Sequence, residues 1–150
     1  MKPLSLIEKA FFLKKVRIFS GLDFELLLAI AEKLHDDDYD AGEKVFMSGQ
    51  VANRIYFLAE GTVQLLDERM GVRAGLKQTD FFGDESLFND APRTYSAICK
   101  TDAMLLTLSR SHLLSIISEC PSVAVSLLQI YAHALPCRFL KSCEIGVPAL

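Results

Sequence analysis

No stretch of this sequence reaches the roughly 18 consecutive apolar residues that a membrane-spanning helix needs. The longest local run, Leu26 to Ala31, sits between charged residues and reads as part of a core helix. Met1-Lys2-Pro3 soon meets Glu8, Lys9, Lys14 and Lys15. The apolar pieces between these charges are too short for a signal-peptide core, and no small-residue cleavage site follows, so a cytoplasmic location is expected. Positive charge is not in excess either: 16 Lys+Arg face 19 Asp+Glu, for a net charge of −3. Such a chain is poorly suited to generic nucleic-acid binding, whose affinity comes largely from Lys and Arg. It also offers no polybasic membrane anchor. Cys99, Cys120, Cys137 and Cys143 form no Cys-x-x-Cys pair, which speaks against a zinc knuckle or a thioredoxin-type site. In a reducing compartment they are expected as free thiols, although Cys137 and Cys143 are near enough in sequence to pair in vitro. His35, His112 and His133 have no metal-ligand spacing, so no metal or other cofactor is expected. Fixed-period repeats and low-complexity tracts are also lacking.

What remains is 150 residues, 51% hydrophobic and 23% charged, the composition of one globular domain. A chain of this length buries roughly 68–70% of its unfolded surface. Ser5-x-x-Glu8 is a capping box opening a helix to about Lys15. Leu26, Ile30 and Leu34 at i, i+4, i+8 predict a second helix reaching about His35. From Asp36 to Leu108 the apolar runs turn short, β-branched and aromatic, with turn residues every eight to twelve positions. Strands are predicted at Lys44–Ser48, Ile55–Ala59, Thr62–Asp67, Val72–Lys77, Tyr95–Lys100 and Met104–Ser109. Helical periodicity returns over Leu113–Glu119 and again from Pro121, with Pro136 as the stop. The fold class is therefore mainly β with flanking helices. A jelly-roll-like β-roll at 36–108 is expected between N-terminal helices at 4–35 and two C-terminal helices at 109–135. The tail, 136–150, is expected to be poorly ordered.

Strand alternation fails for long at one place only, Phe81 to Thr94. Gly83 there lets backbone approach a ligand closely. Asp84 to Phe88 can form a helical turn whose first N–H groups are unpaired. Arg93, fixed in the turn after Pro92, can grip a phosphate bidentately, and a hydrogen bond to a charged group is worth about 1.5–3 kcal/mol. Thr94 adds a hydroxyl, and the Asp84 carboxylate suits sugar hydroxyls rather than phosphate. Singly, an arginine after a proline is usually a solvated loop residue and a Gly-Asp pair usually a turn. Their concurrence at one break in a β-roll matches a ligand carrying a phosphate and a free ribose hydroxyl.

At these residues the chain resembles the cyclic nucleotide-binding domain family. Its phosphate-binding cassette reads Phe-Gly-Glu, then small or apolar residues, then Pro-Arg followed by Thr, Ser or Ala. Here that is Phe82-Gly83-Asp84-Glu85-Ser86-Leu87, then Ala91-Pro92-Arg93-Thr94. The glycine framework of the early strands matches at Tyr39-x-x-Gly42, Gly49 and Tyr56-Phe57-Leu58-x-x-Gly61-x-Val63, so the resemblance covers roughly residues 10 to 135. Three positions depart from the pattern: Asp84 replaces the glutamate, Glu85 an apolar residue, and Thr79 a preceding glycine.

The resemblance implies that Arg93 clamps the cyclic phosphate of cAMP or cGMP, helped by Thr94 and the N–H groups around Ser86. Gly83 and Asp84 hold the ribose 2′-hydroxyl, and Leu65 walls the base. The last helix closes as a lid, with Tyr131 ahead of His133 as the capping residue, unless both merely pack or face solvent. Thr94 is compatible with either nucleotide. The implied mechanism is that a contracting cassette pulls Leu87 and Phe88 against the helices after the roll, shifting populations by differential affinity. No enzyme is expected: a cupin-type roll needs clustered histidines, and Asp36 to Leu108 contains none. The fourteen residues after Pro136 are too few for a helix-turn-helix, so a stand-alone or excised sensor acting on an effector protein, not on nucleic acid, is expected. Ala124, Leu128, Tyr131 and Leu135 are spaced 4-3-4, which suits a homodimer seam or packing on the chain's own roll. The alternative to a sensor is a degenerate roll serving as a nucleotide-independent interaction scaffold.

Overall fold

In the computed structural model, which describes residues 1–135 and 137–139, the first helix begins at the capping box. The Ser5 hydroxyl accepts from the Glu8 N–H at 3.2 Å, and the Glu8 carboxylate accepts from the Ser5 N–H at 3.1 Å. Two otherwise unpaired donors are thereby satisfied. Helix α1 (Leu6–Lys15) leads into a 3-10 turn (Arg17–Phe19) that the apolar spacing does not announce. Helix α2 (Phe24–Ala31) is capped by the Asp23 carboxylate on the Leu26 N–H. It is shorter than the periodicity predicts: Leu34 is buried beyond its end, and His35 already belongs to a strand.

That strand, β1 (His35–Tyr39), has a sequence of low β propensity, which is why the pattern conceals it. It is an edge strand, held by β8 on one side only. Its carboxylates secure the N-terminal segment: Asp36 accepts from Lys9 Nζ at 2.6 Å and from the Leu4 N–H at 2.9 Å. The remaining long strands fall within two residues of expectation. They are β2 (Lys44–Phe46), β3 (Arg54–Glu60), β4 (Val63–Leu66), β5 (Val72–Leu76), β7 (Ser96–Cys99) and β8 (Ala103–Ser109). A two-residue strand, β6 (Phe81–Phe82), lies inside the segment expected to interrupt the roll. The strands form two antiparallel four-stranded sheets, ordered β1-β8-β3-β6 and β2-β7-β4-β5. This is the expected double-stranded roll with flanking helices.

Strand β3 between its charged ends, and β8 apart from Thr107 and the terminal Ser109, are apolar because both their faces are covered. Ile55, Phe57 and Ala59, with Met104, Leu106 and Leu108, face a core shared with the helices, where Leu13, Phe19, Leu27, Leu113, Val123 and Leu127 are buried. Tyr56 and Leu58, with Ala103 and Leu105, face the roll interior among Phe46, Val63, Phe82 and Ala97. Three helices complete the chain: α3 (Glu85–Asn89), α4 (Arg110–Glu119) and α5 (Pro121–Ala134). Proline at the first position of α5 costs nothing, since that N–H has no helical partner. The chain bends by 109° between α4 and α5. Pro136, the tail from 140 onward and Cys143 lie outside the described residues; Cys99, Cys120 and Cys137 are free. Among the described residues no single helix is long and apolar enough to cross a membrane.

Candidate functional site

The segment from Phe81 to Thr94 folds as β6, a tight bend at Gly83, the short helix α3, and an extended return through Pro92. Gly83 has φ +82°, and a Cβ there would lie 2.8 Å from Arg93 Nη1 and 3.3 Å from the Tyr56 ring. The bend therefore needs glycine for both its conformation and its clearance. Ser86 closes the segment on itself, its hydroxyl donating to the Pro92 carbonyl at 3.1 Å. The turn at Ser48–Gln50 anchors the exit: the Gly49 N–H donates to the Arg93 carbonyl at 2.7 Å, and the Arg93 N–H to the Gln50 carbonyl at 2.8 Å.

Anchored in this way, the Arg93 side chain runs inward and is 4% exposed. Nη1 donates to the Gly83 carbonyl at 2.5 Å and Nη2 to the Arg54 carbonyl at 2.6 Å. The guanidinium lies over the Phe46 ring, 4.2 Å from its centroid, a cation–π arrangement strengthened by desolvation. Its Nε is buried with no hydrogen-bond partner. Burial lowers the guanidinium pKa, an effect opposed by Tyr56, Tyr95, Glu85 and Asp84.

Alternation along an extended chain puts Arg93 and Tyr95 on one side and Thr94 on the other. Thr94 is exposed accordingly, as is Pro92. The Tyr95 hydroxyl accepts from the Gly83 N–H and donates to Glu85, each at 2.8 Å. Glu85 is thus an exposed residue tied sideways.

Asp84 precedes α3 and is 4% exposed, and its Oδ2 accepts a short hydrogen bond from the Tyr131 hydroxyl. Burial, followed by the adjacent charge of Glu85, raises its carboxyl to about 7, while the bond from Tyr131 works the other way. Burial also raises the Tyr131 phenol, so it keeps its proton and donates. The Tyr131 ring meets Phe88 edge-on at 6.4 Å. A cleft of about 470 Å³ opens among α1, the β5–β6 connection, α3 and α5, lined in part by Lys15, Arg17, Asp84, Glu85 and Tyr131.

The structure therefore gathers Phe82, Gly83, Asp84, Ser86, Leu87 and Arg93 into one buried unit, with Tyr131 against its edge. Leu65 packs with the roll-interior cluster, and neither it, Thr94 nor Arg93 lines the cleft. Sequence reasoning missed Phe46, Tyr95 and the Arg54 carbonyl. Tyr95 was within reach by alternation from Arg93; the other two are brought in by sheet pairing alone. Thr79 keeps the left-handed backbone of a glycine, at φ +80°.

The family model of the cyclic nucleotide-binding domain matches residues 37–120. The CRP-like cAMP-activated global transcriptional regulator of Mycobacterium tuberculosis is 29% identical over 127 residues, covering 82% of this chain and 57% of that protein. A cAMP-dependent protein kinase regulatory subunit of Debaryomyces hansenii is 30% identical over 100 residues, 67% of this chain and 22% of that protein. The chain thus spans little more than half of the first of these relatives and under a quarter of the second. The structure of Thermus thermophilus catabolite activator protein superposes with a TM-score of 0.74 at 29% identity, over 80% of this chain and 58% of that one.

Proposed function

Because the chain belongs to the cyclic nucleotide-binding domain family, we propose that it is a non-catalytic regulatory module that binds cAMP or cGMP at the Phe82–Thr94 cassette. The observation that carries this reading is the buried arginine with an unpartnered Nε beside a carbonyl-lined glycine bend. A buried polar atom without a partner is costly, and an anionic oxygen would satisfy it. Arg93 takes the phosphate, with Thr94 and the N–H groups near Ser86 assisting. Gly83 and Asp84 take the ribose hydroxyl, and Leu65 and the Tyr131 ring bound the base. The signal leaves through α5, whose inner face (Val123, Leu127) packs in the helical core. Val125 and Leu128 on its outer side, with Leu135 just past its end, are exposed and are assigned to an effector protein or a second copy of the chain, whereas Ala124 of the expected seam is half-buried. Tyr131 turns towards Asp84 and is not part of that surface. The net charge of −3 argues against nucleic acid as the direct partner.

One observation favours the scaffold alternative. Both Nη groups of Arg93, the Gly83 N–H and the Asp84 carboxylate already have protein partners. Calorimetry with cAMP and cGMP on the wild type and Arg93→Ala separates the two. The sensor reading expects a Kd tighter than ~100 µM for at least one nucleotide, lost in the variant. Thermal melts of both proteins separate lost binding from lost fold. No heat with either nucleotide at high protein concentration sides with the scaffold.

A further inference from the structure

Asp84, Ser86 and Arg93, three of the polar side chains of the cassette, are each 4% exposed. Although Asp84 borders the cleft, a ligand of nucleotide size does not fully engage groups so covered without movement of their cover. Over Asp84 that cover is α5. Two of the helix's inward residues, Val123 and Leu127, belong to the helical core, and beyond them Tyr131 reaches the cassette. Its hydroxyl donates to the residue that precedes α3, and its ring touches Phe88 near the end of α3. One side chain therefore fastens α5 to both ends of the short helix. At its other end α5 is joined to α4 at the 109° bend, a natural pivot.

Resting on the cyclic-nucleotide reading, we propose that the hydrogen bond from Tyr131 to Asp84 is an internal latch. It holds α5 across the cassette, and a ribose hydroxyl gains Asp84 Oδ2 only by displacing the tyrosine hydroxyl. Tyr131 thereby sets affinity through two parts of one side chain: the hydroxyl opposes binding, and the ring remains to cover the ligand. The exchange replaces one hydroxyl donor on the carboxylate by another, so Asp84 is never left buried without a partner. When the competent arrangement is a minor one, apparent affinity falls by its fraction, and removing the latch restores it. A hydrogen bond of this class is worth up to roughly a tenfold shift.

Tyr131→Phe deletes the hydroxyl and keeps the ring contact with Phe88. The test compares cAMP and cGMP affinity, and the association rate of a fluorescent cAMP analogue, for wild type, Tyr131→Phe and Tyr131→Phe/Arg93→Ala. The latch requires Tyr131→Phe to bind tighter, by up to roughly tenfold, and to associate faster, with the gain abolished by the second substitution. Binding by Tyr131→Phe where the wild type binds below detection supports it equally. Equal or weaker binding by Tyr131→Phe, alongside wild-type binding, overturns the latch and leaves the nucleotide reading standing. No binding by any of the three overturns both. Amide hydrogen exchange over residues 121–134 without ligand is the second readout: faster exchange in Tyr131→Phe is required, and unchanged exchange counts against the latch.

Discussion

A carboxyl as covered as that of Asp84 titrates far from its usual range, at about 7, chiefly because burial disfavours its charged form. An unfolded chain releases this proton near pH 3.9. Between those values the folded chain holds a proton that the unfolded chain has lost, so stability falls as pH rises from about 4 to 7. Asp84→Asn abolishes this contribution, which amounts to about 1.4 kcal/mol for each unit of displacement. Urea unfolding at pH 5 and pH 8 should show the wild type losing more stability across the interval than the variant; parallel losses contradict the burial of Asp84. Thr79 presents a second local cost. A β-branched residue at φ +80° carries about 1–2 kcal/mol of strain, against about 0.5–1 kcal/mol for the greater chain entropy of glycine. Thr79→Gly is expected to raise the melting temperature by a few degrees, and an unchanged or lower value rejects the strain. The cassette motif was legible because it depends on residue types close in sequence, such as Gly83 and Arg93. The Arg54 carbonyl was not, because it lies 39 residues from Arg93, and Tyr131, 47 residues from Asp84, was named through the resemblance as a cap and not as the donor to Asp84.

Elements declared themselves where local chemistry and tertiary packing agree. The capping box fixed the start of α1, Pro121 the start of α5, and the long apolar runs the positions of β3 and β8. They stayed hidden where tertiary partners overrule local preference. β1 is a strand because β8 offers it a full antiparallel register, from His35–Thr107 to Tyr39–Ala103, and because Lys9 and the Leu4 N–H receive Asp36. β6 is a strand because Tyr56 and Phe57 pair with Phe82 and Phe81. The helical spacing of Leu34 was a true burial signal in the wrong conformation: the residue packs in the helical core after α2 has ended.

Across the whole molecule, two cores share one wall, the β3–β8 pair. Phe57 is fully buried on its helical side, 5.6 Å from the Phe19 ring and 6.3 Å from Phe81. Phe57→Ala is expected to cost about 3–5 kcal/mol, and denaturant melts followed by helical and by aromatic signals should shift together. A shift confined to the helical signal argues against a shared wall.

The same wall bears on how the chain finds its pairing. In a sheet with one wet face, sliding a strand by one residue throws its apolar side chains into water, and that penalty fixes the alignment. Here a slip of β3 exchanges Ile55 and Phe57 with Tyr56 and Leu58, trading one oily compartment for the other, and the penalty falls at the strand's ends, where Arg54 or Glu60 would enter a buried position. The charged ends, more than the apolar middle, therefore hold the alignment, and directional contacts add to them. Successive carbonyls along a strand point to opposite edges, and only the native alignment aims that of Arg54 at the guanidinium of Arg93. The residue assigned to recognition thereby also ties the alignment of the sheet to the cassette.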